Sequence, residues 1–352
     1  MIARTRTTAI VLAAATGVAL TGCTAPAPTT EGLSIVASTN VYGDIAASIA
    51  GDLATVTSII DSAAQDPHSY EASAQDQLAI AGADLVIENG GGYDPFVDLL
   101  VEGSGTSAVV ISASAVAGLE EDAHSHGDEA HSEEEAHSEE EAHAEGEAHS
   151  EEEAHAEGEA HSEEEAHSKD DGHGHIEGVN EHVWYDVHVM GDVATAIATE
   201  LAEIDSANAA TYEENLAAWL ADLEALEGEL ETVAAALGGG VVATTEPVPA
   251  YLLAELGLDD ETPAEFLEAI EEGADVPPLA LQQTLDLIAS GEIRLLAYNE
   301  QTASPETERV RAAAEAAGIP VVSFVETLPE GEDYVSWMRA NIEAVAQALT
   351  PA

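Results

Sequence analysis

Eight apolar residues, Tyr212, Leu216, Trp219, Leu223, Leu226, Leu230, Val233 and Leu237, recur at alternating spacings of four and three. Such spacing returns every side chain to one face of an α-helix. At 1.5 Å per residue the stripe predicts a rod about 45 Å long, ended by Gly238-Gly239-Gly240. A rod with one continuous apolar face has to be covered along its whole length. A coiled coil would cover it, but the flanking sequence points elsewhere.

On both sides of the rod, strand-like and helix-like segments alternate. Before it, Leu33–Thr39, Ala54–Ile60, Asp84–Asn89 and Ala108–Ser114 read as strands, separated by helical spacing over Val41–Ala50, Ser73–Ala83 and Tyr93–Val101. Asp192 is the expected cap of a helix carrying Val193, Ile197, Leu201 and Ile204. After the rod, Val241–Thr245, Ile293–Asn299 and Pro320–Glu326 read as strands. Pro249–Leu256, Leu279–Ala289, Pro305–Ala317 and Asp333–Leu349 read as helices, and Thr262–Glu272 favours helix on propensity. Alternation on this scale predicts parallel βαβ units. The expected fold is α/β, with two lobes of parallel sheet bridged by one long rigid helix. The expected boundaries are 33–207 for the first lobe, 208–237 for the linking helix and 238–350 for the second lobe.

The first residues form a separate unit. Arg4 and Arg6 precede an apolar run from Ala9 to Leu20, too short to span a bilayer, which reads as a signal peptide over 1–22. Cys23 is the single cysteine, so no intramolecular disulfide can form and the fold rests on its core. Residues 23–32 read as that cysteine followed by an extended tether. Seven Lys and Arg stand against seventy Asp and Glu, a formal net charge of −63. A surface of that sign repels nucleic acid and gathers cations.

Open α/β sheets bind ligands at the carboxyl ends of their strands. Four residues fall at such places: His68 in DPHSYE, His182 in NEHVWYD, Glu246 in VATTEPV and Glu326 in SFVETLP. Singly, each is more often a surface or hydrogen-bonded residue; together they describe one metal site. Two imidazoles suit Zn²⁺, two carboxylates suit harder ions such as Mn²⁺, and their charge of −2 offsets a dication. Without a thiolate the set is unsuited to Cu(I), and four protein ligands leave no place for an activated water. Glu71, Asn40, Asn299 and Glu300 are open candidates for orienting the ligands. His188 reads as a surface residue, and Gly90-Gly91-Gly92 as a turn rather than a phosphate loop.

DPHSYE, EHVWYD, VATTEPVPAYLLAELGL, LLAYNEQTASPETERVR and ETLPEGEDYVSWM resemble, in order, the zinc/manganese substrate-binding lipoproteins of bacterial ABC importers. The likeness runs from about Leu33 to Leu349. It implies a metal held between two lobes by His68, His182, Glu246 and Glu326. Glu326 departs from the usual Asp, and the family places a strand near Thr262–Glu272. Leu20-Thr21-Gly22-Cys23 likewise resembles a lipobox, which implies that Cys23 is lipidated and becomes the mature first residue.

Within 120–177, histidine recurs at every sixth residue among glutamates, and eleven of the fourteen histidines lie there. They are His124, His126, His131, His137, His143, His149, His155, His161, His167, His173 and His175. Six residues advance a helix by 600°, so successive histidines do not share a face. Glutamates at i+3 and i+4 also repel one another. The segment therefore reads as a solvated, disordered insertion in which a few imidazoles capture Zn²⁺ weakly. Capture would be lost below a pH of about 6.5, as imidazole protonates. Histidine-rich insertions here also resemble those of zinc-type members.

The reading as a whole is a monomeric, membrane-tethered, extracytoplasmic zinc carrier, not an enzyme, that serves an ABC permease and its ATPase subunits. The alternatives are a manganese carrier with the same architecture, a surface metal buffer or adhesin, and a metal-dependent hydrolase.

Overall fold

The computed structural model describes residues 32–119 and 179–350. The expected signal peptide, Cys23 with its tether, and the eleven histidines from His124 to His175 lie outside the described residues.

The first sheet contains β1 (Leu33–Thr39), β2 (Ala54–Ile60), β3 (Leu85–Glu88) and β4 (Val109–Ser112), all parallel, in the order β2-β1-β3-β4. The second contains β5 (Gly240–Thr244), β6 (Leu258–Asp260), β7 (Ile293–Asn299) and β8 (Val321–Phe324), again parallel, in the order β6-β5-β7-β8. The two lobes share one topology. In each, the chain winds first to one side of the opening strand and then to the other. That reversal leaves a crevice at the carboxyl ends between β1 and β3, and between β5 and β7.

The inner strands are apolar on both faces because helices cover both faces. Every residue of β3 is buried, as are the last five of β1. The first lobe carries α1 (Asn40–Ala50), α2 (Ala74–Ala81), α3 (Phe96–Ser104), the short α4 (Ala113–Val116) and α5 (Val187–Ile204). Helix α6 (Ala209–Leu237) is the rod. The second lobe carries α7 (Ala250–Glu255), α8 (Ala264–Glu271), α9 (Pro278–Ala289), α10 (Pro305–Ala317) and α11 (Tyr334–Leu349). Local chemistry sets several starts. Ser73, Ser304 and Asp333 each close a capping box on α2, α10 and α11.

Two expectations are corrected. Asp192 lies inside α5, whose cap is Asp186; its carboxylate accepts from the His188 and Val189 amides, both at 3.0 Å. The apolar stripe extends back through Met190 and Val187, so the helix starts earlier than its densest part indicates. The strand implied near Thr262–Glu272 exists as β6, just upstream, while the helical propensity beyond Thr262 is realised as α8. β6 escapes pattern reading because it has three residues and ends in Asp260, which accepts from the Thr244 and Thr262 hydroxyls, each at 2.6 Å.

The rod that bridges the lobes is also part of their core. Tyr212, Trp219, Leu223, Leu226 and Leu230 are buried. They join one apolar cluster with Ile35, Val41 and Ile45 of the first lobe and with Val242, Leu252 and Trp337 of the second. Gly191 of α5 lets the rod come close, since a Cβ there would lie 3.2 Å from a Leu223 methyl. Burying one Leu fully stabilises by roughly 1.5–3 kcal/mol, so peeling a lobe from the rod would expose several such groups. Polar clasps reinforce the seam. Asn40 donates to the Leu328 carbonyl at 2.8 Å and accepts from the Leu328 amide at 2.9 Å. Tyr185 donates to the Val325 carbonyl at 2.8 Å, and Tyr251 to the Asn180 carbonyl at 2.6 Å. The two crevices therefore face each other in a fixed relation.

Candidate metal centre

Four loops converge where the crevices meet. His68 lies beyond β2, and its backbone is set by Asp66, whose Oδ1 accepts from the His68 amide at 3.0 Å. His182 immediately precedes a single 3-10 turn, Val183–Tyr185, that leads into α5. Glu246 stands two residues past β5, and Glu326 two residues past β8. His182, Glu246 and Glu326 are at most 1 % exposed, and the His68 side chain 8 %. His68, His182 and Glu246 turn one potential ligand atom each to within 4.8 Å of one another, and Asp66, His68 and Glu326 do the same. All four expected residues are thus brought to one place, with Asp66 as a fifth.

The rings are oriented from behind. His68 Nδ1 lies 3.5 Å from a Glu181 oxygen, and its Nε2 lies 3.9 Å from Glu326. His182 Nδ1 lies 2.7 Å from Asn180 Oδ1. The Asn180 amide has one orientation, because its Nδ2 donates to the Pro247 carbonyl at 3.0 Å and its Oδ1 accepts from the His182 amide at 3.2 Å. An amide oxygen only accepts, so Nδ1 carries the proton and Nε2 keeps its lone pair. Glu181 and Asn180 therefore favour the same tautomer in both rings. Tyr93 meets the two rings edge-on at 4.8 and 5.7 Å, and Trp184 backs His182 at 5.2 Å.

The carboxylates are tied by one amide. Asn299 Nδ2 donates to Glu246 Oε2 at 2.5 Å and to Glu326 Oε1 at 2.7 Å. Thr302 also donates to Glu246 Oε2, and Tyr93 to Glu326 Oε2 at 3.2 Å. Glu246 Oε1 is buried with no hydrogen-bond partner among the described residues, an arrangement that leaves one oxygen for a cation. Burial pushes the Glu246 carboxyl up to about 7; the Glu271 and Asp66 charges add to this, while Thr302 and Asn299 pull it down. Burial, and then the charge of Glu246, pushes Glu326 well above the carboxylate range. Both carboxyls therefore hold their protons more tightly than exposed ones do.

Tyr93 and Glu181 are delivered by the Gly90-Gly91-Gly92 turn. Its three glycines have φ of 70°, 67° and 96°, a left-handed run that side-chain-bearing residues resist. Asp94 clamps it, accepting from the Asn89 amide at 2.7 Å and the Gly90 amide at 2.8 Å. Asn89 then holds the Glu181 carbonyl at 2.9 Å. Of the four open candidates, Asn299 alone touches the expected ligands. Asn40 clasps the lobes, Glu300 accepts from Ser323 at 2.8 Å, and Glu71 is exposed. His188 is exposed, 3.5 Å from Glu227. Pattern reading passed over Asp66, Tyr93, Asn180, Glu181, Glu271 and Thr302. Asp66, Asn180 and Glu181 lie within two residues of an expected ligand and were findable by adjacency; Tyr93, Glu271 and Thr302 are joined to the site only by the fold.

The chain matches the family "zinc-uptake complex component A, periplasmic" (ZnuA) over residues 35–348. It belongs to that family. Members are substrate-binding components of metal ABC importers and catalyse no reaction. The metal ABC transporter substrate-binding lipoprotein ScbA of Streptococcus cristatus is 24% identical over 353 residues, 95% of each chain. The manganese-binding lipoprotein MntA of Halalkalibacterium halodurans is 38% identical over 80 residues, 23% of this chain and 26% of that protein. A crystal structure of ZnuA superposes with a TM-score of 0.63 at 21% identity, covering 91% of this chain and 100% of that one. No helix among the described residues is long and apolar enough to cross a membrane.

Proposed function

We propose that this chain is the extracytoplasmic, lipid-anchored zinc-binding component of an ABC importer. In this reading His68, His182, Glu246 and Glu326 hold the ion between the lobes and Cys23 carries the lipid. A membrane permease receives the ion, and its ATPase subunits supply the energy. The observation that carries the proposal is that His68, His182 and Glu246, drawn from both lobes and largely buried, turn ligand atoms to within 4.8 Å of one another, with Glu326 tied to Glu246 through Asn299. Two neutral imidazoles with two carboxylates form a donor set that suits Zn²⁺ and balances its charge. The ion replaces the protons on Glu246 and Glu326, so loading is coupled to proton release. Four protein ligands leave no open position for water, consistent with carriage.

The histidine tract has a distinct role in this reading. Its imidazoles gather zinc weakly near the membrane and pass it inward. Deleting residues 120–175 is expected to slow growth in zinc-starved medium; unchanged growth would remove that role.

Manganese is the second reading. Asp66 and Glu271 add oxygen donors around the cluster, and oxygen-rich sites suit harder ions. The deciding experiment titrates Zn²⁺ and Mn²⁺ into protein lacking residues 120–175, with His68→Ala and Glu246→Ala as controls. Zinc is expected to bind more tightly and each substitution to abolish tight binding. Equal or tighter binding of manganese would overturn the zinc assignment, and unaltered binding in the variants would overturn the ligand set.

A further inference from the structure

The interlobe cluster is open on one side. A cavity of about 300 Å³ borders it, lined in part by Asp66, His68, Glu271, Gln301, Thr302 and Glu306. Burial is deepest at the site residues that do not line this cavity. Asp66 is half-buried, the His68 side chain is 8 % exposed, and Glu326, Glu246 and His182 are at 1 % or below. The two three-residue groups overlap at His68: Asp66 and His68 line the cavity, whereas Glu326, His182 and Glu246 do not. Each Asp66 oxygen accepts one hydrogen bond within its own loop, from the His68 amide at 3.0 Å or the Ser69 hydroxyl at 2.8 Å. A carboxylate oxygen has two acceptor positions, so both oxygens retain capacity for a cation.

We infer that Asp66, His68 and Glu326 form an outer docking station through which the incoming cation reaches the interlobe site. The inference rests on the metal-carrier reading above. From the station the ion exchanges one bond for two: it leaves the Asp66 oxygen as His182 Nε2 and Glu246 Oε1 attach, while His68 and Glu326 stay bound. The exchange keeps the coordination sphere filled as water is lost, and stripping a dication of all its water in one step is prohibitively costly. Because the station lies on the path and not at its end, it lowers the barrier equally in both directions. Association and dissociation then change together and the equilibrium constant stays put. A permanent ligand would act differently, as its loss speeds dissociation and weakens binding.

The test uses the full chain with Co²⁺ as a visible probe. The absorption band that His68→Ala removes defines the interlobe signal, so ions held by the histidine tract do not count. Stopped-flow mixing gives the association rate, and excess chelator gives the dissociation rate. Asp66→Asn keeps an oxygen for the His68 amide while removing the charge, and Glu306→Gln removes one charge from the same cavity as a control for general attraction. For Asp66→Asn, both rates are expected to fall by about tenfold with Kd held within about threefold; Glu306→Gln is expected to leave dissociation unchanged, as rim charges act on association. Faster dissociation with weaker binding, slower association alone, or unchanged rates in Asp66→Asn would each overturn the station. An absent Co²⁺ signal in the wild-type protein would instead overturn the metal centre itself.

Discussion

Asn299→Ala removes the one amide that joins the two carboxylates. Its Nδ2 reaches Glu246 at 2.5 Å and Glu326 at 2.7 Å, and the residue is 2 % exposed. Hydrogen bonds to charged groups are each worth about 1.5–3 kcal/mol. The bonds exist without metal too, so part of the loss appears as lower stability of the metal-free protein and cancels from the binding constant. What remains is orientation. Without Asn299, Glu246 keeps Thr302 and Glu326 keeps Tyr93, so the carboxylates stay nearby but no longer share a fixed geometry. Removing partners of this kind costs metal affinity by about 10–100-fold, or about 1.4–2.7 kcal/mol. The assay is competition for zinc against a chromophoric chelator, with and without the substitution, in protein lacking residues 120–175. Thermal unfolding in chelator is measured alongside. A lowered Tm with Kd changed by less than about twofold would refute the reasoning, because Asn299 would then support the fold without tuning the ligands.

Three further outcomes follow from the same geometry. Glu246 keeps its proton up to a pH of about 7 in the folded protein, whereas an ordinary carboxyl loses it near 4.5. The folded state thus binds more protons across that window, and the stability of metal-free protein falls as pH rises through it. The Tm difference between wild type and Glu246→Gln, followed from pH 4.5 to 8 in chelator, should widen in favour of the variant; a constant difference would count against this. Gly91→Ala places a side chain at φ 67° with its Cβ 3.3 Å from that of Ser114, and a left-handed residue costs about 1–2 kcal/mol. Chemical denaturation should register that loss, together with weaker zinc binding through Tyr93 and Glu181; unchanged stability would show that the turn relaxes freely. Asn40→Ala deletes both bonds to Leu328 and should destabilise by about 1–3 kcal/mol in the same measurement, with no change expected if the clasp is idle.

Much of this architecture is written in local patterns. Strands such as Ile293–Asn299 and helices such as Pro305–Ala317 follow from apolar runs and caps that act over a few residues. The metal-ligand candidates were legible because parallel sheets concentrate function at strand ends: Glu246 and Glu326 stand just beyond β5 and β8, and His68 lies in the loop that follows β2. The orienting groups were not, because their roles depend on which loops meet. Tyr93 opens a stretch that reads only as a helix following a glycine turn, yet its hydroxyl meets Glu326 across a separation of 233 residues. Glu271 ends α8 and Thr302 lies in a loop, and neither segment has a metal-ligand pattern of its own. Asp192 and Asp186 look equivalent as helix caps, and only the continuation of the stripe through Met190 and Val187 distinguishes them.

The most direct test of the central claim is anomalous scattering from a crystal grown with equimolar zinc and manganese. The account predicts one strong peak at the zinc edge within coordination distance of His68, His182, Glu246 and Glu326. A peak at the manganese edge instead, or an empty interlobe site with metal bound elsewhere, would contradict it.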